Sequence, residues 1–128
     1  MFTRQYMDSF RIWLEENSLQ QLINNLESQY PSVQLWAWEN SSRIELAMIK
    51  VPKEIQGQGI GSQIMKMIKD YAKSVQKPIV LRPEPEKGKK AALNRFYTRQ
   101  DFVNNKGKNI DYSLSSPTSK TMYYKPNN

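Results

Sequence analysis

The stretch RIELAMIKVPKEIQGQGIGSQIMKMIKDYAKSVQK, residues 43–77, decides how the chain is read. Over 43–51 the apolar residues run almost unbroken, interrupted only by Glu45 and Lys50, which predicts a strand set inside a sheet. Pro52 has no N–H to give to a ladder and ends that strand. Gly57, Gly59 and Gly61 then alternate with Gln58 and Ile60. Glycines at every second position let the backbone turn tightly and bring bare N–H groups up to a ligand. From 62 to 76 Ile64, Ile68, Tyr71 and Val75 fall at helical spacing, and Met65, Met67 and Ala72 widen the stripe. A glycine turn that opens a helix favours an anion, because unpaired N–H groups and the helix dipole point the same way.

A P-loop requires Gly-Lys-Ser/Thr at the close of such a turn, whereas this one closes Gly61-Ser62. A dinucleotide fingerprint requires glycine where Ser62 stands and an acidic residue about 20 positions on. Neither fits. The segment Gln56-Gly57-Gln58-Gly59-Ile60-Gly61 resembles instead the Q/R-x-x-G-x-G/A signature of the GNAT N-acetyltransferases. In that family the turn holds the pyrophosphate of acetyl-coenzyme A. A second motif agrees: Ala92-Leu93-Asn94-Arg95-Phe96-Tyr97, followed by Asp101-Phe102, resembles the family's ALxxFYxxxGF helix end. Asp101 stands where glycine is usual, at the helix C-cap. The resemblance covers roughly residues 43–124.

Composition narrows the chemistry. The 128 residues suit one domain, 1–128, with a helical part over 1–30 and a cofactor-binding core over 43–125. There is no cysteine and no histidine, so thiolate zinc, cysteine nucleophiles and Ser-His-Asp triads are excluded, and proton transfer falls to carboxylate, tyrosine or lysine. No apolar run reaches membrane-spanning length, and Arg4 and Asp8 stand where a signal peptide's apolar core would lie, so a cytoplasmic protein is expected. The net charge of +7 is uneven. Residues 66–108 hold 12 basic and 4 acidic side chains, and residues 1–40 hold 2 basic and 5 acidic. An anionic cofactor would be steered to the basic half; the rival reading is a non-catalytic module that binds nucleic acid or another anionic partner there.

The remaining elements follow in order. Phe10, Trp13 and Leu14 predict a first helix with an ordinary core face, broken at Asn17-Ser18. Ser18 with Gln21 reads as a capping box for a second helix, Leu19–Gln29. A hairpin is expected over 33–51, with Trp36 and Trp38 on one face, where they either line a groove or, the favoured reading, pack over a helix. Strands are expected at 79–81, 110–114 and 121–124, an extended piece at 101–103, and a helix at 89–100. The sum is a mixed α/β sheet; the resemblance implies a mostly antiparallel one splayed into a V and flanked by helices.

The resemblance also implies roles. Backbone groups of Ile49, Lys50 and Val51 would pair with the pantetheine arm, and Gln56, Gly57, Gln58, Gly59, Ile60, Gly61 and Ser62 would hold the pyrophosphate. Tyr97 stands where the family has a tyrosine that protonates the leaving thiolate. Seven residues earlier, where an asparagine is common, this chain has Lys90; Asn94, one turn before Tyr97, is the possible substitute. Glu45 lies six residues before Val51, the spacing of the catalytic glutamate of the histone-acetyltransferase branch, with Glu39 second choice as base. On plain alternation Glu45 shares a face with Ala47, Ile49 and Val51. The expected reaction is direct transfer of acetyl from acetyl-CoA, without metal, to a primary amine: a protein lysine or N-terminus, or a small amine.

Overall fold

The computed structural model describes residues 18–83, 88–114 and 121–126. The helix expected around Phe10, Trp13 and Leu14 lies outside them. Helix α1 is Leu19–Gln29. It begins as its sequence predicts: the Ser18 side chain accepts from the Gln21 N–H, at 3.3 Å. Only half of a capping box forms, because the Gln21 amide turns to Asn25 instead. Leu19, Ile23 and Leu26 face the core.

Strands β1 (Gln34–Glu39) and β2 (Ile44–Lys50) form the hairpin. Asn40 closes it by accepting from the N–H groups of Ser42 and Arg43. Helix α2 is Ile60–Val75, starting two residues earlier than its apolar stripe suggests, because Gly59 itself takes the capping position. Strand β3 (Ile79–Leu81) is buried throughout. Helix α3 is Lys90–Arg99, and Asp101 beyond it adopts φ 71°, the left-handed conformation usually left to glycine. Short strands β4 (Val103–Asn104) and β5 (Met122–Tyr124) complete the sheet, in the order β1-β2-β3-β5-β4. Only β2 and β3 run parallel; the other pairs are antiparallel.

The strand expected over 110–114 does not form. Asn105, buried, exchanges two hydrogen bonds with the Asp111 backbone, and Asp111 binds Lys125 at 2.6 Å. These contacts fold the segment into a short 3-10 turn at Gly107–Asn109 and a second turn, leaving no extended run to pair.

The register of the hairpin has one irregularity. Trp36 pairs with Met48 but Ala37 pairs with Leu46, so Ala47 is an extra residue, a β-bulge. Leu35, Ala37, Ile44, Leu46 and Ile49 therefore face the core that α1 and α2 share, and Trp36, Trp38, Glu45 and Met48 lie on the opposite face. This corrects the alternation expected for Glu45: the bulge removes Ile49 from its face and pairs it with Trp38. Trp36 and Trp38 do share a face, but they are 66% and 52% exposed instead of packed against a helix. None of the helices among the described residues is long and apolar enough to cross a membrane.

Candidate active site

The glycine turn is built by two braces. The Gln56 amide donates to the Val51 carbonyl at 2.8 Å, closing residues 51–56 into a loop around the short 3-10 turn Lys53–Ile55. Gln56 therefore shapes the turn from within. At the other end Gly61 sits against α3: a Cβ there would meet the Phe96 ring at 3.4 Å. The Ser62 hydroxyl accepts from the Gln100 amide at 3.2 Å, so its side chain also ties α2 to the end of α3.

Between the braces, Gly57 and Gly59 have φ of 82° and 77°, and a Cβ on either would meet nothing within 4 Å. The space over the turn is open. Gly59 caps α2 with no side-chain acceptor, and among the described residues the N–H groups of residues 57–62 make no hydrogen bond. An α-helix start with its donors unspent and open space above is the physical requirement for a phosphate.

Beside the turn the sheet parts. Strands β2 and β3 pair only through Ile44, Leu46 and the residue between them, and β3 ends at Leu81 while β2 runs on to Lys50. Past Leu46 the β3-side edge of β2 has no partner among the described residues, and Ile49 and Lys50 lie on it, with Val51 following. An extended chain laid there would find backbone partners.

Tyr97 is 7% exposed and packs edge-on against Phe96 and Phe102, with ring centroids 5.3 and 5.8 Å away. Burial pushes its hydroxyl above the ordinary tyrosine range, so it stays protonated at neutral pH. Asn94 and Lys90 are both exposed, and the Asn94 carbonyl accepts from the Thr98 hydroxyl. Glu45 is half-buried and meets Arg43 at 2.9 Å, while Arg43 also donates to the Leu114 carbonyl at 2.6 Å. Glu39 is fully engaged elsewhere. One of its oxygens accepts from Tyr71, at 2.5 Å, and the other from Lys77, at 2.6 Å. Burial first, then the Glu39 bond, lifts the Tyr71 hydroxyl to about 12. This latch fastens α2 to the far end of β1, away from the parted strands.

A family model described as an acetyltransferase (GNAT) domain matches residues 10–104. The chain belongs to the GNAT acetyltransferase family. No curated protein matches it. Among solved structures it is similar to the anti-CRISPR protein AcrVA5, with 26% identity and a TM-score of 0.55 over 72% of this chain and 88% of that one. It is also similar to Ard1 from Thermoplasma volcanium, with 18% identity and a TM-score of 0.54 over 87% and 82% of the two chains. As a GNAT domain it is built for acetyl transfer, and acetyl-CoA is the donor the family uses. The two sequence motifs meet where Gly61 of the turn faces the Phe96 ring of α3.

Sequence reasoning missed the bulge and the Arg43–Leu114 contact. The bulge leaves no mark in an apolar run such as Ile44–Lys50, and the contact spans 71 positions.

Proposed function

We propose that this protein transfers the acetyl group of acetyl-CoA directly to a primary amine, within a ternary complex. The observation that carries the reading is the set of unspent N–H groups over residues 57–62, opening α2 beneath free space in a GNAT domain. Gly57, Gln58, Gly59, Ile60, Gly61 and Ser62 offer those groups to the pyrophosphate; Gln56 holds the turn in shape. The pantetheine arm lies as an extra strand along Ile49, Lys50 and Val51, where β2 has lost its partner. An N–H there also polarises the thioester carbonyl. Lys90 and Asn94 are exposed on α3 and, on this reading, contact the cofactor.

The amine nitrogen attacks the thioester carbon, a C–N bond forms and the C–S bond breaks. The thiolate takes its proton from the Tyr97 hydroxyl, whose raised pKa keeps the proton available until sulfur carries charge, and the second proton shed by the nitrogen restores that hydroxyl through water. Glu45 accepts the proton of the attacking ammonium, through water. It lies one position before the pairing of β2 and β3 ends. The acceptor is a lysine side chain or another primary amine.

Calorimetry with acetyl-CoA, followed by mass detection of acetylated amines, tests the proposal. Micromolar binding with transfer to an amine supports it. Absence of acetyl-CoA binding overturns it.

A further inference from the structure

Trp36 and Trp38 take no part in the cofactor site, yet they expose 66% and 52% of their surface on one strand. Exposed indoles side by side are costly to keep in water unless they meet a ligand. Their cross-strand neighbours say which. Trp38 lies directly opposite Glu45, and Trp36 opposite Met48. On the far side of Glu45 stands Val80, and one position later β2 and β3 part. The surface thus runs from indole to carboxylate to the gap where the thioester carbon would lie.

From this juxtaposition we infer that Trp36, Trp38, Met48 and Glu45 form the acceptor subsite, and that its ligand is a lysine side chain of a protein. The inference rests on the acetyltransferase reading. An ammonium on an alkyl stem matches both parts: indole faces attract cations and cover methylenes, and the carboxylate meets the charged end. Distance selects the stem. Neighbouring strands are about 4.8 Å apart, so β1 lies roughly 7 Å from the middle of the gap beyond β2. A lysine side chain reaches about 6 Å from its Cα, enough to present its nitrogen at the gap when that Cα lies over the space between β1 and β2. An α-amino group, with no stem, does not.

Charge separates lysine from a free polyamine. A polyamine brings further ammonium groups, each needing a carboxylate. Glu45 already shares its charge with Arg43, Glu39 has both oxygens taken and lies towards the other face, and Lys50 stands across from Gln34 at the strand's end. Among the described residues of β1 and β2, Glu45 is the carboxylate on this face, which suits one ammonium.

The test is an NMR titration of the full chain, following the indole N–H signals of Trp36 and Trp38. The probe is a blocked glycine-serine nonapeptide with one central lysine. Matched peptides replace lysine by norleucine or by diaminopropionate, and spermidine is titrated separately. The expected result is that both indole signals move with the lysine peptide, at a concentration about tenfold lower than with either analogue or with spermidine. In acetyl transfer, Trp36→Ala and Trp38→Ala each raise KM for the lysine peptide about tenfold with kcat little changed. Norleucine acting as well as lysine, spermidine acting at lower concentration, or silent indoles at about 10 mM peptide each overturn the inference. Acetyl-CoA is added in the same titration. Indoles that respond to lysine while the amides of residues 57–62 ignore acetyl-CoA would sink the acetyltransferase reading and leave the lysine subsite standing.

Discussion

Replacing Gly59 by asparagine and by aspartate separates shape from charge at the cofactor turn. Gly59 has φ 77°, where a side chain costs about 1–2 kcal/mol, although asparagine and aspartate tolerate it best. Neither meets an obstacle in the free protein, since a Cβ there has nothing within 4 Å. Both variants should therefore fold, with melting temperatures a few degrees below the parent and close to each other. They are equal in shape, so the difference between them in acetyl-CoA affinity is electrostatic. One carboxylate about 5 Å from one phosphate charge, at an effective dielectric of about 20, costs roughly 3 kcal/mol. That predicts about 10²-fold weaker binding for Gly59→Asp than for Gly59→Asn, narrowing as salt rises. Isothermal calorimetry at two ionic strengths measures both. Equal affinities for the two variants would mean that no phosphate lies over residues 57–62.

Three further outcomes are expected. Tyr97→Phe should leave acetyl-CoA affinity unchanged and lower turnover on the order of 10²-fold; unchanged turnover with a lower melting temperature would make Tyr97 a packing residue only. Tyr71→Phe removes the hydroxyl from the Glu39–Lys77 latch and should cost about 1 kcal/mol in urea unfolding, with activity retained in the folded fraction. Asp111 is held down to about 2, first by its hydrogen bond from Lys125 and then by that from Ser113. Its carboxylate is thus favoured in the folded state, so it contributes fully above the ordinary carboxylate range and the contribution fades as pH falls towards about 2. Asp111→Asn should flatten acid unfolding, followed by circular dichroism, in that interval.

The helices and the glycine turn were legible because their signals are local. Ser18 and Gln21 announced α1, the glycine alternation announced the turn, and Asp101 in a glycine position marked the end of α3. What failed depended on partners distant in sequence. Ile110–Leu114 carries strand-like residues, but Asn105 and Lys125 bind Asp111 and fold the segment over. Glu39 resembled a free carboxylate at a strand end until Tyr71 and Lys77, more than thirty residues away, were seen to occupy it. The aromatic content of β1 suggested packing, but which tryptophan surfaces remain in water is settled by what lies opposite them in the sheet.

The extra residue at Ala47 also changes how β2 tolerates variation. Before it, the even-numbered residues Ile44 and Leu46 point to the core; after it, the odd-numbered Ile49 does. The strand inverts its parity in mid-course, while β1 keeps Leu35, Ala37 and Glu39 in step throughout. Deleting Ala47 would make the pairing regular, because Leu46 and Met48 would become neighbours opposite Ala37 and Trp36, which are already neighbours. Ile44, Leu46 and Ile49 would keep the core face, and Glu45 and Met48 the other. Position 47 is therefore where β2 can lose a residue without exchanging its faces. A second residue inserted there would have no partner in β1 and would disturb the ladder further.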